Sequence, residues 1–97
     1  MITERVHKII EHMKEQVKKE DLVLLSAIHD ILNVEQFIEA DFVDISTYDQ
    51  NTGSLSLGFR SEKAAVEMSK ELRKRKLGTT KVNRSLLEGV YFFKLRR

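Results

Sequence analysis

The chain has 97 residues, 41% of them hydrophobic and 33% charged, with a formal net charge of +2. That length supports one core without disulfide or metal, and the composition excludes a disordered chain. No cysteine is present, which excludes disulfides, thiol catalysis and cysteine–zinc sites, and no apolar run approaches the roughly 18 residues of a membrane span.

Ile2, Val6, Ile9, Ile10, Met13 and Val17 recur at helical spacing, which predicts an amphipathic helix over 2–19 with Thr3 as its cap. Lys18 and Lys19 suit the negative end of such a helix. The same opening stretch is charged throughout and lacks the apolar segment of a secretion signal, so a cytoplasmic protein is expected. After Asp21, the run from Leu22 to Ile28 is apolar nearly all round and predicts a second helix sunk into the core, ending at Asn33. Asn33 followed by Gln36 resembles a capping box for a further short turn bearing Val34, Phe37 and Ile38.

From Asp41 the period changes. DFVDISTY, DQNTG and SLSLGFR read as strand, turn and strand, with Leu55, Leu57 and Phe59 alternating against polar neighbours. Ser61 caps a third helix whose buried stripe is Ala65, Met68 and Leu72, and Gly78 is expected in the left-handed position that ends it. TTKVNR and GVYFFKLR supply two more strands. The predicted fold is therefore one α+β domain over 1–97. Its N-terminal helices are followed by a ββαββ antiparallel sheet, with helices packed on one face. From Leu55 onward the strand–helix–strand–strand order resembles an arrangement within many ferredoxin-like domains, and that arrangement hosts unrelated functions.

Catalytic and metal motifs are weak. In HKIIEH, His7 and His12 stand five residues apart, about 140° around a helix, so they cannot easily grip one ion. Glu35, Glu39, Asp41 and Asp44 cluster in sequence, but a charged rim explains them. His29 beside Asp30 reads as a packed histidine. No G-x-S-x-G turn or phosphate-binding glycine loop is present. No metal, cofactor or catalytic set is predicted, and a small enzyme ranks third among the function classes.

Charge is the informative feature. Residues 1–50 carry five basic groups against eleven acidic ones, a balance of −6, and residues 51–97 carry twelve against four, a balance of +8. Within KELRKRKLG, Lys70, Arg73, Lys74, Arg75 and Lys76 crowd a helix end. Helix-dipole stabilisation and pairing of Glu71 with Arg75 at i,i+4 and with Lys74 at i,i+3 account for two or three of these cations but not for the set. Lys81, Arg84, Lys94 and Arg96 continue the basic character on the predicted strands. Tyr91, Phe92 and Phe93 are consecutive in one strand, so they must divide between the two faces of the sheet.

Aromatic side chains among cations suit stacking and neutralisation of single-stranded nucleic acid, although no RNP-type K/R-G-F/Y pattern occurs. The reading is a non-catalytic macromolecule-binding module without membrane contact, with nucleic acid favoured over an acidic protein surface. The alternative is a protein-interaction or regulatory module, a homodimer or a protein like a viral inhibitor. In the dimer, surplus apolar surface on the first helix would seek a second copy together with the Tyr91–Phe93 strand.

Overall fold

The computed structural model of the chain describes residues 3–34, 41–86 and 89–97. Thr3 is extended and its Oγ1 accepts from Val6 N at 3.4 Å, so helix α1 (Glu4–Lys14) starts at its expected cap. Val6, Ile10 and Met13 bury its inner stripe, with Ile9 packed beside them. That stripe is therefore part of the core, not surplus surface for a second copy.

The helix stops well before residue 19. Val17 turns in against the core, and the extended Lys18 donates its N–H to the Tyr48 hydroxyl at 3.1 Å. Intrinsic helix preference is weak, and this long-range bond outweighs it.

A 3₁₀ turn over Lys19–Asp21 leads into α2 (Leu22–Val34). Leu24, Leu25, Ala27, Ile28, Ile31 and Leu32 form a broad buried face. Val23 is 51% exposed, and Ser26 and Asp30 face solvent, so this helix covers the core instead of being sunk within it. Asn33 lies in its last turn, one residue before the end. The further turn expected with Gln36, Phe37 and Ile38 falls outside the described residues.

Strand β1 (Phe42–Asp49) and strand β2 (Ser54–Phe59) form an antiparallel hairpin. Its turn is closed by Gly53 N donating to Asp49 O at 2.7 Å. Asp49 Oδ1 accepts from Asn51 N at 2.8 Å. Leu55, Leu57 and Phe59 are buried, as their alternation predicts. Helix α3 (Glu62–Lys74) begins at Ser61, whose Oγ accepts from Ala64 N at 3.2 Å.

The end of α3 differs from expectation. Lys76, not Gly78, adopts the left-handed conformation, with φ of 64°. Lys76 N donates to Arg73 O at 2.9 Å and Leu77 N to Leu72 O at 3.3 Å, the paired bonds of a Schellman turn. Leu77 then packs against the core. The apolar Leu72–Leu77 clamp fixes where the helix ends, and the residue caught in the left-handed position happens to be a lysine. Gly78 serves a different purpose: a Cβ there would lie 3.2 Å from Arg96 Cγ, so its lack of a side chain lets Arg96 cross the strand.

The expected strand over 79–84 is broken into β3 (Gly78–Thr79) and β4 (Asn83–Arg84), both antiparallel to β5 (Tyr91–Arg96). Between them Thr80 bonds β5 by both backbone and side chain: Thr80 N donates to Lys94 O at 3.0 Å, and Lys94 N to Thr80 Oγ1 at 2.8 Å. The five described strands run β1–β2–β5–β3, with β4 also on β5, so the protein is α+β with its helices on one face of an antiparallel sheet. Phe59 joins the strands beneath those helices. It stacks on Phe93 at 6.0 Å and meets Phe42 edge-on at 5.5 Å.

The β1 edge of the sheet is obstructed. Arg5 from α1 donates to Phe42 O at 2.6 Å and to Val43 O at 3.2 Å, and β1 carries two register shifts. Bulges and an edge-bound charge are features that discourage pairing with another strand.

Candidate functional site

Between α3 and the broken edge strand lies a groove of about 480 Å³. Val66, Ser69 and Arg73 form its helical wall, Thr79 to Val82 with Arg84 its strand wall, and Tyr91 closes it from β5. The α3 wall follows from helical spacing, since residues three and four apart share a face. The strand wall and the ring follow from the antiparallel register, which sets Arg84 opposite Tyr91.

Arg73 is held along its helix, its Nε donating to Ser69 O at 3.4 Å and its terminal nitrogen to Ser69 Oγ at 3.2 Å. The Arg84 guanidinium stands 6.0 Å from the centre of the Tyr91 ring, a cation–π arrangement. Lys81 is exposed. Among the described residues no carboxylate lies within ion-pair reach of Arg73, Lys81 or Arg84. Glu62 is the single acidic residue in the lining.

The rest of the predicted basic run is dispersed. Lys74 pairs with Glu71 at 2.9 Å. Arg75 does not pair with Glu71 but crosses to Asp30 on α2 at 3.4 Å, joining the basic and acidic halves. Lys70 and Lys76 are exposed and lie outside the groove. The helix end thus contributes Arg73 alone, and the strands contribute the rest.

Lys94 and Arg96 lie on the other face. In β5, Phe93 and Leu95 are buried under the helices, so the alternate residues Phe92, Lys94 and Arg96 point the opposite way. There Lys94 and Arg96 line a second pocket of about 280 Å³ with Thr52, Ser54, Gly78 and Thr80. Asp49 is also in its lining, but its carboxylate is held below its ordinary pKa, first by the Asn51 amide and further by the Thr52 amide. Thr79 lies in the wall of both pockets, and its Oγ1 is buried without a partner among the described residues.

The aromatic triplet divides as its spacing requires. Phe93 is fully buried and stacked on Phe59, so it offers no surface to a ligand or a partner. Tyr91 faces the groove, and Phe92 is half-buried on the open face, opposite Gly58.

One polar centre has no counterpart among the motifs of the sequence. Asp21 is 0% exposed; its Oδ2 accepts from the Tyr48 hydroxyl, and Arg97 Nε stands 2.6 Å from its Oδ1, placed as an ion pair without hydrogen-bond alignment. Burial, and secondarily the bond to Asp21, pushes the Tyr48 hydroxyl above its ordinary pKa. Gly53, at φ of 64°, lies so close that a Cβ would sit 3.0 Å from both Asp21 oxygens. These groups tie the 3₁₀ turn, the hairpin and the end of β5 together. Nothing local in the sequence marks Asp21 for burial.

Among the described residues no group of three or more histidine or acidic side chains is placed to hold a metal ion. His7, Glu11 and His12 are exposed on α1, where Glu11 pairs with Lys14 at 3.0 Å and Gln16 Nε2 donates to His12 Nε2 at 2.9 Å. Glu35 and Glu39 fall outside the described residues. No described helix is long and apolar enough to cross a membrane. No protein-family model, curated protein or solved structure matches this chain.

Proposed function

We propose that the protein is a non-catalytic binding module of the cytoplasm that takes nucleic acid through the groove between α3 and the broken edge strand. The observation that carries this reading is the meeting of Arg73 from α3 with Lys81 and Arg84 from the broken edge strand, without carboxylate partners among the described residues, beside Tyr91. Cations attract phosphate, and an aromatic ring in the same concavity offers a stacking surface to a base.

The test is a mobility-shift titration of mixed DNA and RNA at several salt concentrations, repeated with Arg73→Gln/Lys81→Gln/Arg84→Gln. The parent should bind many sequences with an affinity that falls steeply with salt. The variant should bind more weakly throughout, with a salt slope reduced by about one for each phosphate no longer neutralised. Equal binding by parent and variant would remove the groove from the function.

A second reading, a self-associating interaction module, has one observation in its favour. On the sheet face opposite the helices, Val43, Val90 and Phe92 are half-buried around Gly58, where a Cβ would meet Val90 Cγ1 at 3.1 Å and Val43 Cβ at 3.9 Å. Sedimentation at the monomer mass across micromolar concentrations would count against it.

A further inference from the structure

The two basic pockets share a wall. Thr79 and Thr80 line both, the groove lies on the helix side of that strand, and the Lys94–Arg96 pocket lies on the open side. Register and alternation require this placement: Thr79 pairs with the inward Leu95, whereas Gly78 pairs with the outward Arg96. Each pocket combines two or three cations with hydroxyl groups, and only the groove contains an aromatic ring. Asp49, the acid in the second pocket, accepts from two amides of its own turn and keeps its negative charge, so Lys94 and Arg96 leave that lining with one net positive charge.

We propose that these pockets are successive subsites for one single strand of nucleic acid, which passes around the edge strand at 78–81 and is held on both sides of it. This rests on the nucleic-acid reading above and narrows its substrate class. Arg73 and Arg84 hold one stretch of backbone while Tyr91 stacks a base. Lys94 and Arg96 hold a later stretch on the open face. A duplex cannot follow that route. It is stiff over about 150 base pairs, and wrapping it around one edge strand would require a sharp kink. A single strand bends freely at each phosphate. The volumes, about 480 and 280 Å³, suit units of nucleotide size and not a double helix.

The decisive measurement is fluorescence anisotropy with a 12-nucleotide oligothymidylate and with a 12-base-pair duplex. The proteins compared are the parent, Arg73→Gln/Arg84→Gln and Lys94→Gln/Arg96→Gln. Melting curves confirm folding, and Lys94→Glu alone replaces the last variant if removal of Arg96 disturbs the strand. Both pairs of substitutions should weaken oligothymidylate binding by about tenfold or more, each lowering the salt slope by about 1.4. The duplex should bind the parent at least about tenfold more weakly than the single strand. If the Lys94 and Arg96 changes leave binding intact, or the duplex binds equally well, the two-sided path is overturned while the groove reading stands. If neither nucleic acid binds even at low salt, both are overturned.

Discussion

The Asp21 centre and the Arg73–Arg84 groove place similar chemical groups in opposite circumstances. At Asp21 a carboxylate with no exposure meets a tyrosine hydroxyl and a guanidinium, and Gly53 leaves no room for another atom. In the groove, Lys81 and Arg84 are exposed and lack a carboxylate among the described residues, and Arg73 is steadied by Ser69 on its own helix. A desolvated carboxylate held by a hydroxyl and a guanidinium constrains the fold; solvated charges contribute little to it and remain available to a ligand. The charge asymmetry between the halves of the chain is thus partly internal bonding, through Asp30–Arg75 and Asp21–Arg97, and partly open surface.

The sharpest way to break this contrast is Asp21→Ala. It removes the acceptor of the Tyr48 hydroxyl and the partner of the half-exposed Arg97, and urea unfolding should show a loss of about 2 kcal/mol or more. Gly53→Ala should follow at about 2 kcal/mol, combining the left-handed backbone with a collision against the Asp21 carboxylate. A loss below about 0.5 kcal/mol in either would mean that the centre is much looser than its close distances imply.

Lys76→Gly should act in the other direction and stabilise the protein by about 1 kcal/mol, because glycine takes φ of 64° without a Cβ penalty. A destabilised variant would show that Lys76 makes an interaction worth more than its strain.

The Tyr48 hydroxyl supplies a pH test. Its folded pKa is raised, so its contribution is complete below the ordinary tyrosine value near 10 and is lost as pH rises through the folded value. The melting temperature of the parent should therefore decline more steeply above about pH 10 than that of Tyr48→Phe. Parallel alkaline profiles would contradict the proton linkage. Smallest of all, Arg73→Gln/Lys81→Gln/Arg84→Gln should change stability by no more than about 0.5 kcal/mol. A larger loss would mean that these cations belong to the fold and not to a binding surface.

Much of this architecture was legible locally. The alternation of Leu55, Leu57 and Phe59, the Ser61 cap and the Thr3 cap each rest on chemistry within a few residues, and each stands as expected. Failures occur where a distant partner decides. α1 ends early because Tyr48 receives Lys18 N–H, and Lys76 takes the left-handed position because Leu77 must reach the core. The basic run in 70–78 suggested a continuous patch, yet only Arg73 joins the groove, since Asp30 draws Arg75 away and the β5 pleat sends Lys94 to the other face. Spacing could divide Tyr91, Phe92 and Phe93 between two faces, but it could not tell which face the helices would cover.

The position of β5 bears on how the chain acquires its shape during synthesis. Residues 91–96 form the last of the described strands, yet they pair with β2 on one side and with both β3 and β4 on the other. Until they leave the ribosome, Leu55, Leu57 and Phe59 belong to a hairpin with an open inner edge, and the groove has no strand wall. Folding of the sheet must then wait until residues 91–96 have emerged, because it closes through pairings widely separated in sequence. A nascent chain stalled before residue 91 would expose an apolar strand edge to aggregation and to chaperones, and it would have no competent site for a ligand.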